Sequence, residues 1–599
     1  MSAVKVSYVP SPGSIINQLV IKPIFDALEP LEKLYAHHLA RAALHGSRII
    51  MRQVSLESTE IFDLILELYH ACDGKWETLI ARCDITKEEL DSFLEYAAVF
   101  LCNLGNFYVS DSSLTTIDLL LKANSPQGEG DQKFVPDLSA EALRRIAGAS
   151  PLTKTRLERI IDPLLSVPPF NLGYPGEKAQ SAYYPGTKPI SKDEIGRISD
   201  IMCKHSIGPE NTRIRKVCLA LTYARQYASN EKQEKFLEQY IETFRTGGLN
   251  AFQESQKIWV TDIAARVENM IGFIEAYRDP AGIRSEWEAM IGIADQTCGF
   301  KNVVLANRLS ANNNPQLPCY WVDPSELEQF KRTTHIVRFL TTAIHELIGH
   351  GTGKLLRETS PGVYNFDKQS PPISPLTKGP VTSHYTSDQT WSNTFRELSG
   401  TVEECRAILV SEYLMDKKEV LGIFGYTDES EITSDELLYT TYLNIGVDGL
   451  QALEHYNFES KTWGQVHHQA HYSILKHLLQ SGSGVIRIDH DPEVSTLTVR
   501  VDRTKFHSHG KPVLGDYLCR LHIWRCTADV YACKEWYEPL CEVEGVYEKW
   551  RQIVCSKPKP RWKFVQPNTV VTGGEDIVSV KVYEESNEGI IQSWVERGV

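Results

Sequence analysis

No stretch of this chain reaches 18 uninterrupted apolar residues, which excludes a helix built to cross a membrane. Net positive charge is also missing: 63 Lys and Arg face 77 Asp and Glu, a balance of −14. That balance argues against nucleic acid as a main partner. The opening residues, MSAVKVSYVPSPGSI, contain no apolar run of the secretory kind. Thirteen cysteines are an odd number without a compact framework, so a reducing cytoplasm is expected rather than a disulfide scaffold. Cys519, Cys526 and Cys533 recur every seven residues and read as small core residues. Neither an internal repeat nor a low-complexity tract is present.

What is present is an ordinary globular composition on a long chain. At 599 residues it exceeds a single simple core, so two or more domains or lobes are expected. Helical periodicity runs from Ser14 to about Phe107, returns from Lys192 to Tyr277, and resumes over Thr333–His350, Trp391–Met415, Ser434–Tyr456 and Thr462–Gln480. Adjacent His37 and His38 must face different ways, which marks them as structural. Val485–Ile488 and Leu497–Val501 alternate as a hairpin does, and a further strand is expected over Ile577–Tyr583. Between Gly351 and Gln389 lies a Gly-, Pro- and Ser-rich stretch too long for a plain connector, expected to border a functional surface.

The chemistry concentrates in six residues, His345-Glu346-Leu347-Ile348-Gly349-His350 (HELIGH). Two imidazoles and a carboxylate in a short apolar segment are the raw material of a zinc hydrolase. The common signature of that kind separates its histidines by four residues; here the separation is five. On an ideal helix four residues turn through about 400° and return to the same face, whereas five turn through about 500°, some 140° away. Both histidines reach one ion only if the helix takes a π-type bulge or unwinds at Gly349. The bland alternative is a helix bearing two ordinary polar histidines.

A catalytic zinc site needs a third protein donor and one position left for water. Thr401-Val402-Glu403-Glu404-Cys405-Arg406-Ala407 supplies the best candidate, on the next strong helical segment. A Glu-Glu pair on a helix is usually a solvated face; opposite HELIGH it becomes a carboxylate donor. Glu346, beside the ion, would serve as general base towards its water.

HELIGH followed by EECRA resembles the zinc-dependent dipeptidyl-peptidase III family, whose paired signatures are HExxGH and EECRA followed by an acid. The similarity continues through KLYAHHLARAA, KFVPDL at 133–138, IGFIEAYRDPAGIRSEWE at 271–288, GFKNVVLAN at 299–307, QVHHQAHYSILK at 465–476 and FVQPNT at 564–569. It therefore covers nearly the whole chain in order. Carried over residue by residue, the resemblance implies one Zn2+ held by His345, His350 and Glu404, with Glu346 as catalytic base. It implies Glu403 as the acid that orients a ligand imidazole, Tyr277 as the hydrogen-bond donor to the scissile carbonyl, and His467 as a contact of substrate and tetrahedral intermediate. Glu275 would receive the peptide's free amino terminus, and Arg561 would lie near the primed-side residues.

The implied fold is α+β and predominantly helical, with two lobes around a wide cleft: a helical, zinc-carrying upper lobe and a mixed lower lobe with a β-barrel-like core. Residues 1–315 would be mostly lower lobe, 316–556 the upper catalytic lobe, and 557–599 strands returning to the lower lobe. The implied partners are short peptides, cut from a free N-terminus by a monomer.

Three features depart from the family pattern. The acid that closes its second motif is Ile408, four residues after Glu404 and so on the same helix face. The segment from Glu288 to Gly299 is much shorter, and the family's version carries asparagines that hold the peptide's amino end. The arginine four residues after the substrate histidine is His471. The shortened segment leaves open a zinc hydrolase turned to a non-peptide or specialised substrate. Ile408 leaves open a peptide-binding protein with weak turnover.

Overall fold

The computed structural model of the chain describes residues 9–10, 13–107, 133–166, 197, 212–263, 265–269, 307, 314, 317–458, 461–464, 466–557, 562–572 and 577–599. The chain divides into two compact units, Met1–Arg308 with Pro560–Val599, and Leu309–Lys559. No helix among the described residues is long and apolar enough to cross a membrane.

The first unit begins with a strand, β1 (Ile15–Gln18), where a helical pattern was expected. Four residues are too few for either period to declare itself. Helices α1 (Pro30–Val54), α2 (Ser58–Ala71) and α3 (Lys87–Asn103) follow. Their starts are written in sequence. Pro30 occupies the first turn of α1, and Thr86 and Glu89 exchange backbone and side-chain bonds at the head of α3. Together with α4 (Pro151–Leu165) they enclose Phe62, Leu68, Phe93, Phe100 and Leu157. A second cluster joins Tyr35 and Leu39 of α1 to Leu221 of α5 (Thr212–Gln226) and to Phe236 and Tyr240 of α6 (Glu231–Thr246). His37 bonds Thr569 while His38 stacks on Tyr223 and Tyr227, the opposed structural roles their adjacency requires.

The second unit is built on α7 (Leu327–Ile344), α8 (Leu398–Leu414), α9 (Ser434–Ala452) and α10 (Val466–Gln480). The helix expected over Trp391–Met415 is interrupted, because Arg396 turns the chain with φ of 49° before α8 starts. The expected hairpin is formed by β2 (Ile486–Asp491) and β3 (Thr496–Val501), antiparallel, and is followed by α11 (Lys511–Thr527) and α12 (Val530–Cys541). Leu340, Leu409, Leu443, Leu475, Tyr517 and Tyr537 are sealed in one core shared by these helices, with Cys533 among them.

The chain then returns to the first unit. β4 (Trp562–Val565) pairs in parallel with β1, Ile15 opposite Trp562 and Gln18 opposite Val565. β5 (Asn568–Thr572) and β6 (Ile577–Lys581) form an antiparallel pair, and α13 (Asn587–Arg597) adds Ile590, Ile591 and Trp594 to the core of α2 and α3. The result is predominantly helical α+β, but the barrel-like core expected of the lower lobe is not found. Among the described residues every sheet has two strands. A barrel needs each strand to have two neighbours; here helices cover the apolar surface instead.

Candidate metal centre

α7 does not end at Ile344. It passes into a π-helical turn, His345–Gly349, in which the His350 N–H donates to the His345 carbonyl at 3.0 Å. One extra residue in the turn brings positions five apart to one face. The two rings meet edge to face with centroids 4.6 Å apart, and their Nε2 atoms are 3.0 Å apart. Gly349 makes the turn fit: a Cβ there would lie 2.9 Å from both Cα and Cβ of Ala407 on α8. No side chain can be accommodated against a neighbouring backbone at that distance.

That close approach carries the acids of α8 to the turn. Glu404 Oε2 lies 3.2 Å from His345 Nε2, 3.6 Å from His350 Nε2 and 3.0 Å from His467 Nε2 of α10. None of these contacts has hydrogen-bond alignment, so the sealed oxygen is left facing imidazoles without a donor of its own. Burial pushes the Glu404 carboxyl up, but His467, His345 and His350 hold it well below the usual carboxylate range.

Glu403, one residue earlier, faces outward from the same cluster. Its Oε1 takes His350 Nδ1 at 3.2 Å and Arg406 Nη2 at 2.5 Å; its Oε2 pairs with Arg525 Nε of α11 at 2.5 Å. Burial raises this carboxyl too, yet the His350 bond and the two guanidinium groups outweigh it and bring the pKa down to about 2. An ionised Glu403 accepts the His350 Nδ1 proton and leaves the Nε2 lone pair turned towards His345 and Glu404. Arg406 is wholly buried and also donates to the Gly349 carbonyl at 2.7 Å and to Thr352 at 3.2 Å, tying the π-turn to α8. Arg525 donates to the Gly353 carbonyl at 2.8 Å and lies over the Trp391 ring. Ile408 is buried in the apolar core, so no acid stands at the family's position; two arginines brace Glu403 from other directions.

These residues fit an ion. Donors about 2.0–2.1 Å from a tetrahedral zinc stand about 3.3–3.4 Å from one another. The separations among His345, His350 and Glu404 run from 3.0 to 3.6 Å around that value. Unshared nitrogen lone pairs and an ionised carboxylate are the donor set such an ion takes. Glu346 is half-buried, with a carboxylate oxygen within 4.8 Å of donor nitrogens of His345 and His350. Beside it Leu347 and Ile348 are exposed, apolar side chains turned to solvent at the edge of the centre. His471 is half-buried one turn beyond His467. Tyr277, Glu275 and Arg561, with the short segment before Gly299, lie outside the described residues. Arg525 was missed by sequence reasoning, since nothing local to RCTAD points to a helix more than a hundred positions upstream.

A helical unit carrying this donor set with a free carboxylate at its edge defines a metal-dependent hydrolase. Comparison with known proteins narrows the class. The sequence profile of peptidase family M49 matches residues 157–219, 214–298 and 294–598, and the chain belongs to that family. Dipeptidyl peptidase 3 of Nematostella vectensis is 28 % identical, over 99 % of this chain and 96 % of the relative. The Homo sapiens protein of the same name is also 28 % identical, over 97 % of this chain and 94 % of its own. Among solved structures, DPP III from Caldithrix abyssi covers 92 % of this chain and 96 % of its own with a TM-score of 0.51 and 14 % identity, a likeness of fold.

Proposed function

We propose that this chain is a zinc-dependent dipeptidyl peptidase that removes dipeptides from the free N-terminus of short peptides, acting as a monomer in the cytoplasm. The observation that carries the reading is the convergence of His345, His350 and Glu404 beside an unencumbered Glu346. Zinc, when bound, supplies a Lewis acid that polarises the scissile carbonyl and acidifies water. The chain's own residues do the rest. Glu346 takes a proton from the attacking water, whose oxygen adds to the carbonyl carbon. Tyr277 donates a hydrogen bond to the oxyanion and His467 contacts the tetrahedral intermediate. As the C–N bond breaks, the proton held by Glu346 passes to the leaving amine. Glu275 pairs with the substrate's amino terminus and Arg561 holds its primed side. Glu403, braced by Arg406 and Arg525, keeps His350 in the tautomer that presents Nε2.

Metal content together with hydrolysis of a dipeptide-arylamide panel tests this, for the wild type and Glu346→Gln. A zinc-loaded wild type that leaves every peptide uncut would remove the reading in favour of a peptide-binding protein. Equal turnover by Glu346→Gln would overturn the mechanism. Unchanged cleavage of N-acetylated substrates would remove Glu275 as the amine anchor.

A further inference from the structure

In the Gly-, Pro- and Ser-rich stretch that follows the π-turn, two anchored pieces of backbone bring three rings together. Asn365 ties down the first: its side-chain amide donates to the Leu355 carbonyl at 2.8 Å, and its Oδ1 accepts from the Arg357 N–H at 2.9 Å. Tyr385 ties down the second, its N–H donating to the Leu356 carbonyl at 2.9 Å and its hydroxyl to the Arg525 carbonyl at 2.7 Å. Their chain neighbours Tyr364, Phe366 and His384 meet pairwise, with ring centroids 5.4 to 5.7 Å apart and planes crossed at 63 to 76°. The exposed Lys368 reaches into this corner. Its ammonium stands 4.2 Å from the Tyr364 ring centroid and donates to the Tyr364 hydroxyl at 2.9 Å and to His384 Nε2 at 3.4 Å. Asp367, the acid beside it in sequence, instead accepts the N–H groups of Gln369 and Ser370. Among the described residues no carboxylate pairs with Lys368. A surface lysine ordinarily keeps its long stem free in water, because ordering it costs entropy. Here a ring face and two neutral acceptors hold the ammonium without an ion pair.

We propose that Tyr364, Phe366 and His384 form a binding site for an alkylammonium group, which Lys368 fills from within the chain until another ammonium replaces it. The ligand chemistry is that of the occupant: a primary ammonium on an aliphatic stem, presented by the lysine side chain of a peptide or by a free alkylamine. Tyr364 supplies the ring face and a hydroxyl oxygen, His384 a lone pair on Nε2, and Phe366 packs against both rings and keeps them crossed. The net charge of −14 draws cations towards the surface on which the corner opens. Lys368 and an incoming ligand make the same contacts, so the exchange is decided by concentration. Apparent affinity is lowered by the fraction of time that Lys368 fills the corner. The site uses none of the donors of the metal centre and stands independently of the peptidase reading.

Saturation-transfer NMR on the full chain tests this with three probes: n-butylammonium, Nα-acetyl-lysine amide, and the uncharged Nα-acetyl-norleucine amide. Lys368→Met vacates the corner at an exposed position. It should bind both ammonium probes about tenfold more tightly than the wild type, the gain expected where the tether fills the site roughly nine-tenths of the time. The norleucine probe should not bind. Adding Tyr364→Leu to Lys368→Met should abolish binding, whereas adding Tyr364→Phe, which keeps the ring, should retain most of it. Tighter binding of the lysine amide than of butylammonium assigns the site to peptides; equal binding extends it to free amines. Failure of both ammonium probes to bind Lys368→Met would overturn the proposal, as would norleucine amide binding as well as lysine amide. Binding that survives Tyr364→Leu, or that disappears when zinc is chelated, would place the probes elsewhere and overturn it too, leaving the peptidase reading untouched.

Discussion

Among the described residues the second unit contains two π-helical turns, and only one of them gathers side chains that could hold a metal ion. His345–Gly349 and Phe506–Gly510 share a backbone course, carry histidines at or beside the turn, and end on a glycine pressed against another element. In the first, α8 presents Glu404 to both imidazoles and Glu403 to two arginines. In the second, His507 and His509 point to solvent, and Asp416, the nearest carboxylate to His507, is paired with Lys511. Behind that turn Tyr442 stacks on Phe506 with centroids 4.5 Å apart, over a buried Glu412 whose Oε2 has no hydrogen-bond partner. The turn is a shape that aligns positions five apart. The chemistry comes from the acids set against it, and from whether a cation already neutralises them.

Substitutions can break this contrast, and the largest effect is expected at Glu346. Glu346→Gln should lower kcat/KM by about a thousandfold with zinc retained, in line with the roughly 10²–10⁴ that a general base contributes. His507→Ala and His509→Ala, on the second turn, should leave zinc content and turnover as they were. Next is Arg525→Met, which keeps the stem but frees Glu403. Zinc affinity by chelator competition should fall about 10- to 100-fold, with partial recovery in Arg525→Lys. The glycines follow. Gly349→Ala meets the backbone of α8, whereas Gly510→Ala meets only a side chain, the hydroxyl and ring of Tyr442 at 2.6 to 2.9 Å. Overpacking of this kind costs about 1–3 kcal/mol; the urea midpoint should fall further for Gly349→Ala, and only that variant should lose zinc.

The smallest effect is a pH slope. Burial, with Asp448 adding to it, raises the Glu412 carboxyl well above the usual range. Above the ordinary carboxyl pKa the unfolded chain releases this proton while the native chain keeps it. Its contribution to stability therefore falls as pH rises towards the native pKa. Urea midpoints measured across roughly pH 5 to 8 should decline less steeply for Glu412→Gln than for the wild type. Parallel slopes would show that Glu412 titrates normally.

Much of the centre was legible in the sequence because it is local. The five-residue spacing alone required a π-turn or an unwound glycine, and EECRA carried both acids at adjacent positions of one helix. Helix starts at Thr86 and Thr433 were written as a Thr followed three residues later by Glu. What could not be read depends on packing between distant segments. Arg525 reaches Glu403 from another helix, and His467 approaches Glu404 only because α10 packs on α8. The break at Arg396 escaped notice because an arginine in the left-handed region carries no local signature. β1 escaped for the same reason as the missing barrel: strand pairing is non-local, and four residues cannot announce their partner.

The parallel pair of Ile15–Gln18 with Trp562–Val565 also governs the order in which the chain can mature during synthesis. Every residue of the second unit, Leu309–Lys559, is translated before β4 exists. Its helices can therefore condense on the ribosome while the earlier-made unit still lacks a strand and the α13 side chains of its core. The part made first is finished last. A nascent chain stalled near Lys559 would hold a competent donor set attached to a unit with a vacant strand edge, the kind of surface that chaperones shield.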